Sequence, residues 1–356
     1  MAKKILVINP GSTSTKVAVY EDENVLFEKT LRHSTEEIQK FDSIPAQRDW
    51  RKDIIDEFLK ENNFDVKELD AVVGRGGLVK PVEGGTYTVN DALEKDLTAG
   101  VAGQHASNLG GLISKEIAAP LGIPSFIVDP TTVDELEPLA RYTGNPEFPK
   151  TVIWHALNQK AVARRYAAEI GSRYEDLNLI ICHLGGGLSI GAHRKGKCIE
   201  VNNSLDGNGP FSPERSGDLP SGQLVKMCYS GKYTQDEMYK KICGKGGFTA
   251  YYGTNDARAI EDDMAAGKAE ARELYDAYCY GIAKEVGALS TVLKGEVDAV
   301  LVTGGIAYSK YVIEQIAERV SWIAPVKQYG GEDEMLALTQ GVLRVLNGEE
   351  AAKEYK

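Results

Sequence analysis

The chain has 356 residues, 42% of them apolar and 26% charged, a composition that folds into about two domains and is unlike that of a disordered chain. Its formal charge of −11 repels phosphate polymers and anionic lipid, which argues against nucleic-acid and membrane partners. Five widely spaced cysteines without a CxxC pair, and no apolar run near the roughly 18 residues that span a bilayer, point to a cytoplasmic protein with reduced thiols.

In chain order, KKILVINPGSTSTKVAVYEDENVLFEKTL reads as a buried strand at Ile5 to Ile8, a Gly/Ser/Thr turn, an alternating strand from Lys16 to Tyr20, an acidic turn and a third strand. LDAVVGRGGLVK, at Leu69 to Lys80, is a short apolar strand running into a Gly-Gly loop. A helix over Ser114 to Ala119, a strand in PSFIVDP and an amphipathic helix in HALNQKAVARRYAAEI follow. The opening pattern then returns in NLIICHLGGGLSIGAHRKGKCIEVNN, with strand, Gly-rich turn, strand, basic turn and strand in the same order. VDAVLVTGGIAYSK, at Val297 to Lys310, repeats the strand that enters a Gly-Gly loop. The chain therefore reads as two copies of one α/β module with unequal insertions. Residues 202–222 hold many Gly, Pro, Asn and Ser and read as a long functional loop. The halves divide near 150, in GNPEFPK, giving domains 1–150 and 151–333; a late helix over Glu334 to Leu346, within 334–356, is expected to pack back on the first half.

Glycine makes up 37 of the 356 residues, about 10% against an average near 7%. Much of the excess falls in turns after buried strands, where backbone N–H groups form anion-binding concavities. NPGSTSTK adds Ser12, Ser14 and Lys16; HLGGGLS adds His183 and Gly185, Gly186 and Gly187; TGGIAYS adds Gly304 and Gly305. Taken singly, each is also an ordinary tight turn needing positive φ. No loop matches GxxxxGK[ST], and no GxGxxG opens a helix, so P-loop and Rossmann readings fall.

Together INPGSTSTK, GQHASNLGG, HALNQK, CHLGGGLSIGAH, LDGNGPFSPERSG and GGEDEMLAL, in that order, make the whole chain resemble the acetate kinase family of the ASKHA phosphotransferases, on its butyrate kinase side. NPGSTSTK departs from the NxGSSSxK form of acetate kinases, and PERSGDLP from their TRCGSID. The resemblance implies two ribonuclease-H-like domains of the actin/hexokinase/Hsp70 type, the first on the acyl-acceptor side and the second on the nucleotide side. It implies Mg²⁺-dependent transfer of the ATP γ-phosphoryl group to a small carboxylic acid, giving an acyl phosphate and ADP, in a homodimer or higher homo-oligomer.

Such a transfer sets anion against anion, so arginines that fork onto carboxylate or phosphate are expected. Arg75 and Arg215, both in Gly-rich loops, resemble the two active-site arginines; a surface pair with an acid such as Glu214 or Asp218 is the plainer alternative. By resemblance His155 donates to the transferring phosphoryl, His183 lines the phosphate loop, His105 is a further active-site histidine, and Asn9 lies near acceptor and phosphate. A carboxylate acceptor is already ionised at neutral pH, so these histidines stabilise charge and do not move protons. Asp129 and either Glu332 or Glu334 resemble the metal-associated acids, the glutamates serving equally well as the first turn of a helix. Asp256 and Arg258 match the region that holds adenosine, Gly304 and Gly305 the loop beneath it. Pro210, Phe211 and Pro213 are candidates for the acyl wall. Sugar kinases or Hsp70-like chaperones share the fold but lack both arginines aimed at a carboxylate, and a non-enzymatic nucleotide-binding regulator has no need of the acids and arginines kept here.

Overall fold

The computed structural model describes residues 2–356 and divides into two units, one formed by the chain to Asp134 together with Asp333–Lys356, the other by Glu135–Glu332. The stretch 135–150, which the sequence pattern assigns to the first half, clusters with the second unit. Its anchors explain this: the Glu135 carboxylate takes the buried Lys160 ammonium at 2.9 Å, and the Glu137 amide donates to the Ile199 carbonyl at 3.0 Å.

The first unit is built on β1 (Lys4–Pro10), β2 (Ser14–Glu21), β3 (Asn24–Arg32), β4 (Ala71–Arg75), β5 (Thr86–Thr88) and β6 (Ser125–Val128). Its sheet runs in the order terminal strand Lys353–Glu354, β5, β6, β4, β1, β2, β3. β1 pairs antiparallel with β2, and β2 with β3, whereas β1–β4 and β4–β6 are parallel. The second unit carries β7 (Asn178–Leu184), β8 (Leu188–Arg194), β9 (Lys197–Val201), β10 (Ala299–Gly304) and β11 (Val326–Gly330), ordered β11, β10, β7, β8, β9. Here β7–β8 and β8–β9 are antiparallel, β7–β10 and β10–β11 parallel. The order β3-β2-β1-β4-β6 thus repeats as β9-β8-β7-β10-β11, the duplication read from the two opening patterns.

The central strands are continuous apolar runs, as expected where helices cover both faces of a parallel sheet. Ile5 to Ile8 and all of β7 and β10 are buried. In the second unit the helix Ala269–Val292 buries Leu274, Tyr278, Ile282, Val286 and Leu289 along one stripe at three- and four-residue spacing. In the first unit the helix Asn108–Ala118 begins six residues before the expected Ser114 and runs through Gly110 and Gly111, poor helix formers taken alone. Close packing overrides propensity there, because a Cβ on Gly110 would lie 2.4 Å from the Arg75 carbonyl oxygen and one on Gly74 2.0 Å from the Gly110 oxygen. The helix Glu334–Leu346 lies where the sequence pattern puts it and packs on β1, β4 and β6. Residues 202–220 are irregular, and the helix Ser221–Cys228 starts at the end of the long loop.

Candidate active site

In the first unit the register places three predicted residues side by side. Ile8 stands beside Gly74 and Arg75 beside Val128, so Asn9, Arg75 and Asp129 emerge together from the carboxyl ends of β1, β4 and β6. This is the edge where open α/β sheets bind ligands. Glu334, in the first turn of its helix, joins them: it accepts from Asn9 Nδ2 at 2.7 Å through Oε2 and pairs with the Arg75 guanidinium through Oε1. Asp129 is buried, takes the left-handed φ of 38° rarely adopted outside glycine, and accepts the Gly85 amide at 2.7 Å through Oδ1. Partial desolvation and the nearby Arg75 charge lower the pKa of His105, and its Nδ1 accepts the Ser107 amide at 3.2 Å. It belongs to the Arg75 group.

The turn between β1 and β2 holds Ser12, and Ser14 opens β2. Lys16 stands beyond it on β2, opposite Asn9 in register, and its ammonium pairs with Glu28 of β3 at 3.0 Å. Its charge is thus engaged on the strand face and does not sit in the turn.

In the second unit His183 shares a row with Thr303, and Gly304 one with Gly330, so the turn Gly185–Gly187, the pair Gly304–Gly305 and Glu332 gather at the ends of β7, β10 and β11. Gly304 has φ of 90°, and a Cβ on it would lie 2.3 Å from the Leu184 oxygen. Only glycine meets both conditions. His155 and His183 stack with ring centroids 3.7 Å apart. His183 Nδ1 is 2.8 Å from Asn158 Oδ1, and its Nε2 is 3.1 Å from Glu332 Oε1. His155 Nδ1 is 2.8 Å from Ser189 Oγ, and its Cε1 edge faces Gly187.

Arg215 reaches this group through its loop: the Ser212 hydroxyl donates to the Gly186 carbonyl at 2.7 Å, and the Ser212 amide donates to the Arg215 carbonyl at 3.0 Å. Its Nη1 lies 3.2 Å from Glu214 Oε2, the intraloop pair that is the plainer alternative. Its Nε is nevertheless buried without an acceptor among the described residues, a donor suited to an oxyanion. Phe211, a candidate for the acyl wall, packs instead against Phe248 and Tyr278 and braces this loop. An open pocket of ≈ 380 Å³ lies beside it, lined among others by Gly185, Gly186, Asp256, Arg258 and Gly305. Asp256 also caps the helix Ala257–Ala265, accepting the Arg258 amide at 2.9 Å.

The model of the Acetokinase family matches residues 153–325. Butyrate kinase 2 of Clostridium acetobutylicum is 56% identical over 356 residues, covering 100% of both chains, and butyrate kinase 1 of the same organism is 57% identical over 353 residues, covering 99% of both. The chain belongs to the acetokinase family. It is accordingly a phosphotransferase that uses ATP and acts on a carboxyl group. The acetate kinase of Porphyromonas gingivalis (TM-score 0.79, 21% identity, 97% of this chain and 100% of that one) and a propionate kinase from Francisella tularensis (TM-score 0.76, 18% identity, 95% and 98%) share the ASKHA fold.

Sequence reasoning passes over two residues of this acetokinase that shape the site. Arg51, 1% exposed on the helix Arg48–Glu61, donates to the Gly11, Ser12 and Ser14 carbonyls behind the first turn. Gln159 lies behind His155. Neither sits in a Gly-rich motif, and Arg51 occupies a helix that reads as an ordinary charged surface helix; only its burial distinguishes it.

Proposed function

We propose that the protein transfers the γ-phosphoryl group of ATP to butyrate or a branched short-chain analogue, forming the acyl phosphate and ADP, and catalyses the reverse reaction. The carboxylate chemistry rests above all on Arg75, whose guanidinium is already seated on a carboxylate, that of Glu334, with Asn9 on the other oxygen. The choice of acid rests on the names of the relatives. An incoming carboxylate exchanges with Glu334 on Arg75 and Asn9, while Arg215 and the amides of Gly185 to Gly187 face phosphoryl oxygens. Charge is thereby neutralised on both reacting anions without a general base.

Ser12 and Ser14 serve the phosphate turn; Asp256, Arg258, Gly304 and Gly305 serve the nucleoside. His155 donates to the phosphoryl in flight, and His183 lies stacked behind it. Magnesium needs hard oxygen ligands and keeps waters and phosphate oxygens, so one or two carboxylates suffice. Asp129 and Glu334, oxygen donors of one unit, fit that demand and would hold it; no group of three or more His, Cys, Asp or Glu among the described residues forms a cage by itself. When bound, the ion screens the β- and γ-phosphate charge. No helix among the described residues is long and apolar enough to cross a membrane. A cytoplasmic homodimer or higher homo-oligomer belongs to the same proposal, with light scattering on a sizing column as its check.

The decisive assay traps the acyl phosphate with hydroxylamine and compares kcat/KM for acetate, propionate, butyrate, isobutyrate and valerate. One methylene in an apolar pocket is worth about 1–3 kcal/mol, so butyrate is expected to exceed acetate by roughly tenfold or more. ATP hydrolysis with no hydroxamate from any acid would sink the proposal.

A further inference from the structure

Behind His155 lies a line of buried polar side chains bonded one to the next. The Tyr174 hydroxyl is 2.6 Å from His193 Nδ1, and His193 Nε2 is 2.8 Å from Gln159 Oε1. Gln159 Nε2 donates to the Ser189 carbonyl at 3.1 Å and to Ser189 Oγ at 2.8 Å, and Ser189 Oγ is 2.8 Å from His155 Nδ1. Tyr174, His193, Gln159 and Ser189 are all buried. Buried groups are hydrogen-bonded, so within this line donors and acceptors must match one another.

The direction of every link follows from one atom. The Ser189 carbonyl can only accept, so the Gln159 amide must turn its NH₂ toward Ser189 and its oxygen toward His193. His193 therefore carries its proton on Nε2. Burial holds its pKa well below the ordinary histidine value, so it has a single proton, and its Nδ1 accepts from the Tyr174 hydroxyl. On the other side Ser189 Oγ receives two pure donors, Gln159 Nε2 and, at 3.4 Å, the His155 amide. The remaining partner for its own proton is His155 Nδ1.

We infer that Tyr174, His193, Gln159 and Ser189 form a one-way hydrogen-bond chain that keeps the His155 proton on Nε2, making that nitrogen a standing donor at the Gly185–Gly187 turn. These four are positioning residues. They act through His155 and touch no substrate. The alternative tautomer would present a bare lone pair to the phosphoryl oxygens, where charge grows during transfer. The spacing in HALNQK follows from this arrangement: His155 and Gln159 lie one helical turn apart and meet at Ser189, while Asn158 turns to His183. The inference rests on the proposed phosphoryl role of the turn, but the tautomer can be read without any turnover.

The test is a long-range ¹H–¹⁵N correlation spectrum of the full-length protein with ¹⁵N-labelled histidine, its five imidazoles assigned with His155→Asn as reference. In the wild type the His155 ring is expected to show an unprotonated, hydrogen-bonded Nδ1 and a protonated Nε2. A proton on Nδ1, or an average of both tautomers, overturns the inference whether or not the protein is a kinase. Ser189→Ala removes the donor to Nδ1. It should shift that nitrogen toward the tautomer average and lower kcat by about tenfold or more, with KM for ATP and acid little changed, the scale of a mispositioned catalytic group. Gln159→Glu places acceptors where donors stood and should move the His155 proton to Nδ1. An unchanged His155 spectrum in both variants, or an unchanged kcat alongside a changed spectrum, also overturns it. Absence of any acyl hydroxamate with the expected wild-type spectrum would instead count against the kinase reading alone.

Discussion

Arg51 Nη1 donates to the Gly11 carbonyl at 2.8 Å, so a fully buried guanidinium holds the first Gly/Ser/Thr turn from behind. The same side chain takes the Ser12 and Ser14 carbonyls and Thr15 Oγ1, and the His33 amide takes the Thr13 carbonyl. All four carbonyls from Gly11 to Ser14 thereby have a donor, and the Ser14 carbonyl takes the Gly11 amide as well. Among the described residues no carboxylate pairs with Arg51, whose pKa burial lowers to about 10, still cationic at neutral pH. Its charge adds to the field of the turn.

Arg51→Lys keeps the charge but has no planar fork to reach three carbonyls and Gln47 together. It should fold and lose activity. A turn displaced by about 1 Å can cost on the order of 10² in rate, so kcat/KM is expected to fall by at least tenfold. Arg51→Met removes the donor to the Gly11 and Ser12 carbonyls, at about 1–3 kcal/mol each, and should also lower the melting temperature by calorimetry. Wild-type kcat/KM in the lysine variant would remove Arg51 from the function of the turn.

His33 gives a pH-dependent counterpart. Burial and the neighbouring Arg51 charge lower its pKa to about 4, so it is neutral in the folded protein. Thr15 Oγ1 accepts from Arg51 and lies 2.8 Å from His33 Nε2, so a protonated His33 would set a second cation on the same hydroxyl. The unfolded chain takes up this proton near pH 6.5, well before the folded one does, so stability is complete above that pH and is lost as pH falls from 6.5 toward 4. Melting temperatures from about pH 7.5 to 4.5 should decline, and His33→Gln should flatten that decline. Equal slopes in both proteins would refute the assignment.

The two arginines differ in what holds them, and so should their variants. Arg215 keeps a buried Nε without an acceptor among the described residues and is expected to meet phosphoryl oxygens. Arg215→Ala should lower kcat by about 10² or more, the usual loss for one preorganised charge contact, with little change in melting temperature. Arg75→Ala also releases Glu334 and Asn9 from their shared arrangement, so it should raise KM for the acid as well as lower kcat. Hydroxamate formation at varied acid concentration separates these effects.

Much of this is legible in the sequence because strand ends and Gly-rich turns are local patterns. The runs around Asn9, Arg75 and His183 each show an apolar strand entering a turn, and the duplicated order of the two sheets follows from reading them twice. Only the last part of helix Asn108–Ala118 shows in the sequence, because Gly110 looks like a helix breaker until β4 lies against it. Adjacency places Lys16 in the turn, since nothing local reveals the cross-strand Glu28 that holds its ammonium. Arg51 acts from outside the visible motifs, and Gln159, though inside HALNQK, acts through burial and bond direction that the motif does not show. Those are tertiary facts.

Gly304 tests whether the turn geometry of the second unit, and not merely its flexibility, serves the nucleotide. Its φ of 90° and the 2.3 Å that would separate an added Cβ from the Leu184 oxygen leave no room for a side chain. Gly304→Ala must either push β10 away from β7 or twist the Gly304–Gly305 pair, and both shift the pocket wall at Gly305 relative to Gly185. The backbone strain alone is of the order of 1–3 kcal/mol. A lower melting temperature is therefore expected together with a severalfold or larger rise in KM for ATP, while KM for the acid changes less. Gly305, whose added Cβ would meet nothing within 4 Å, is the control: Gly305→Ala should leave the melting temperature near wild type, and a loss of stability there equal to that of Gly304→Ala would show that the close approach to Leu184 is not what requires glycine.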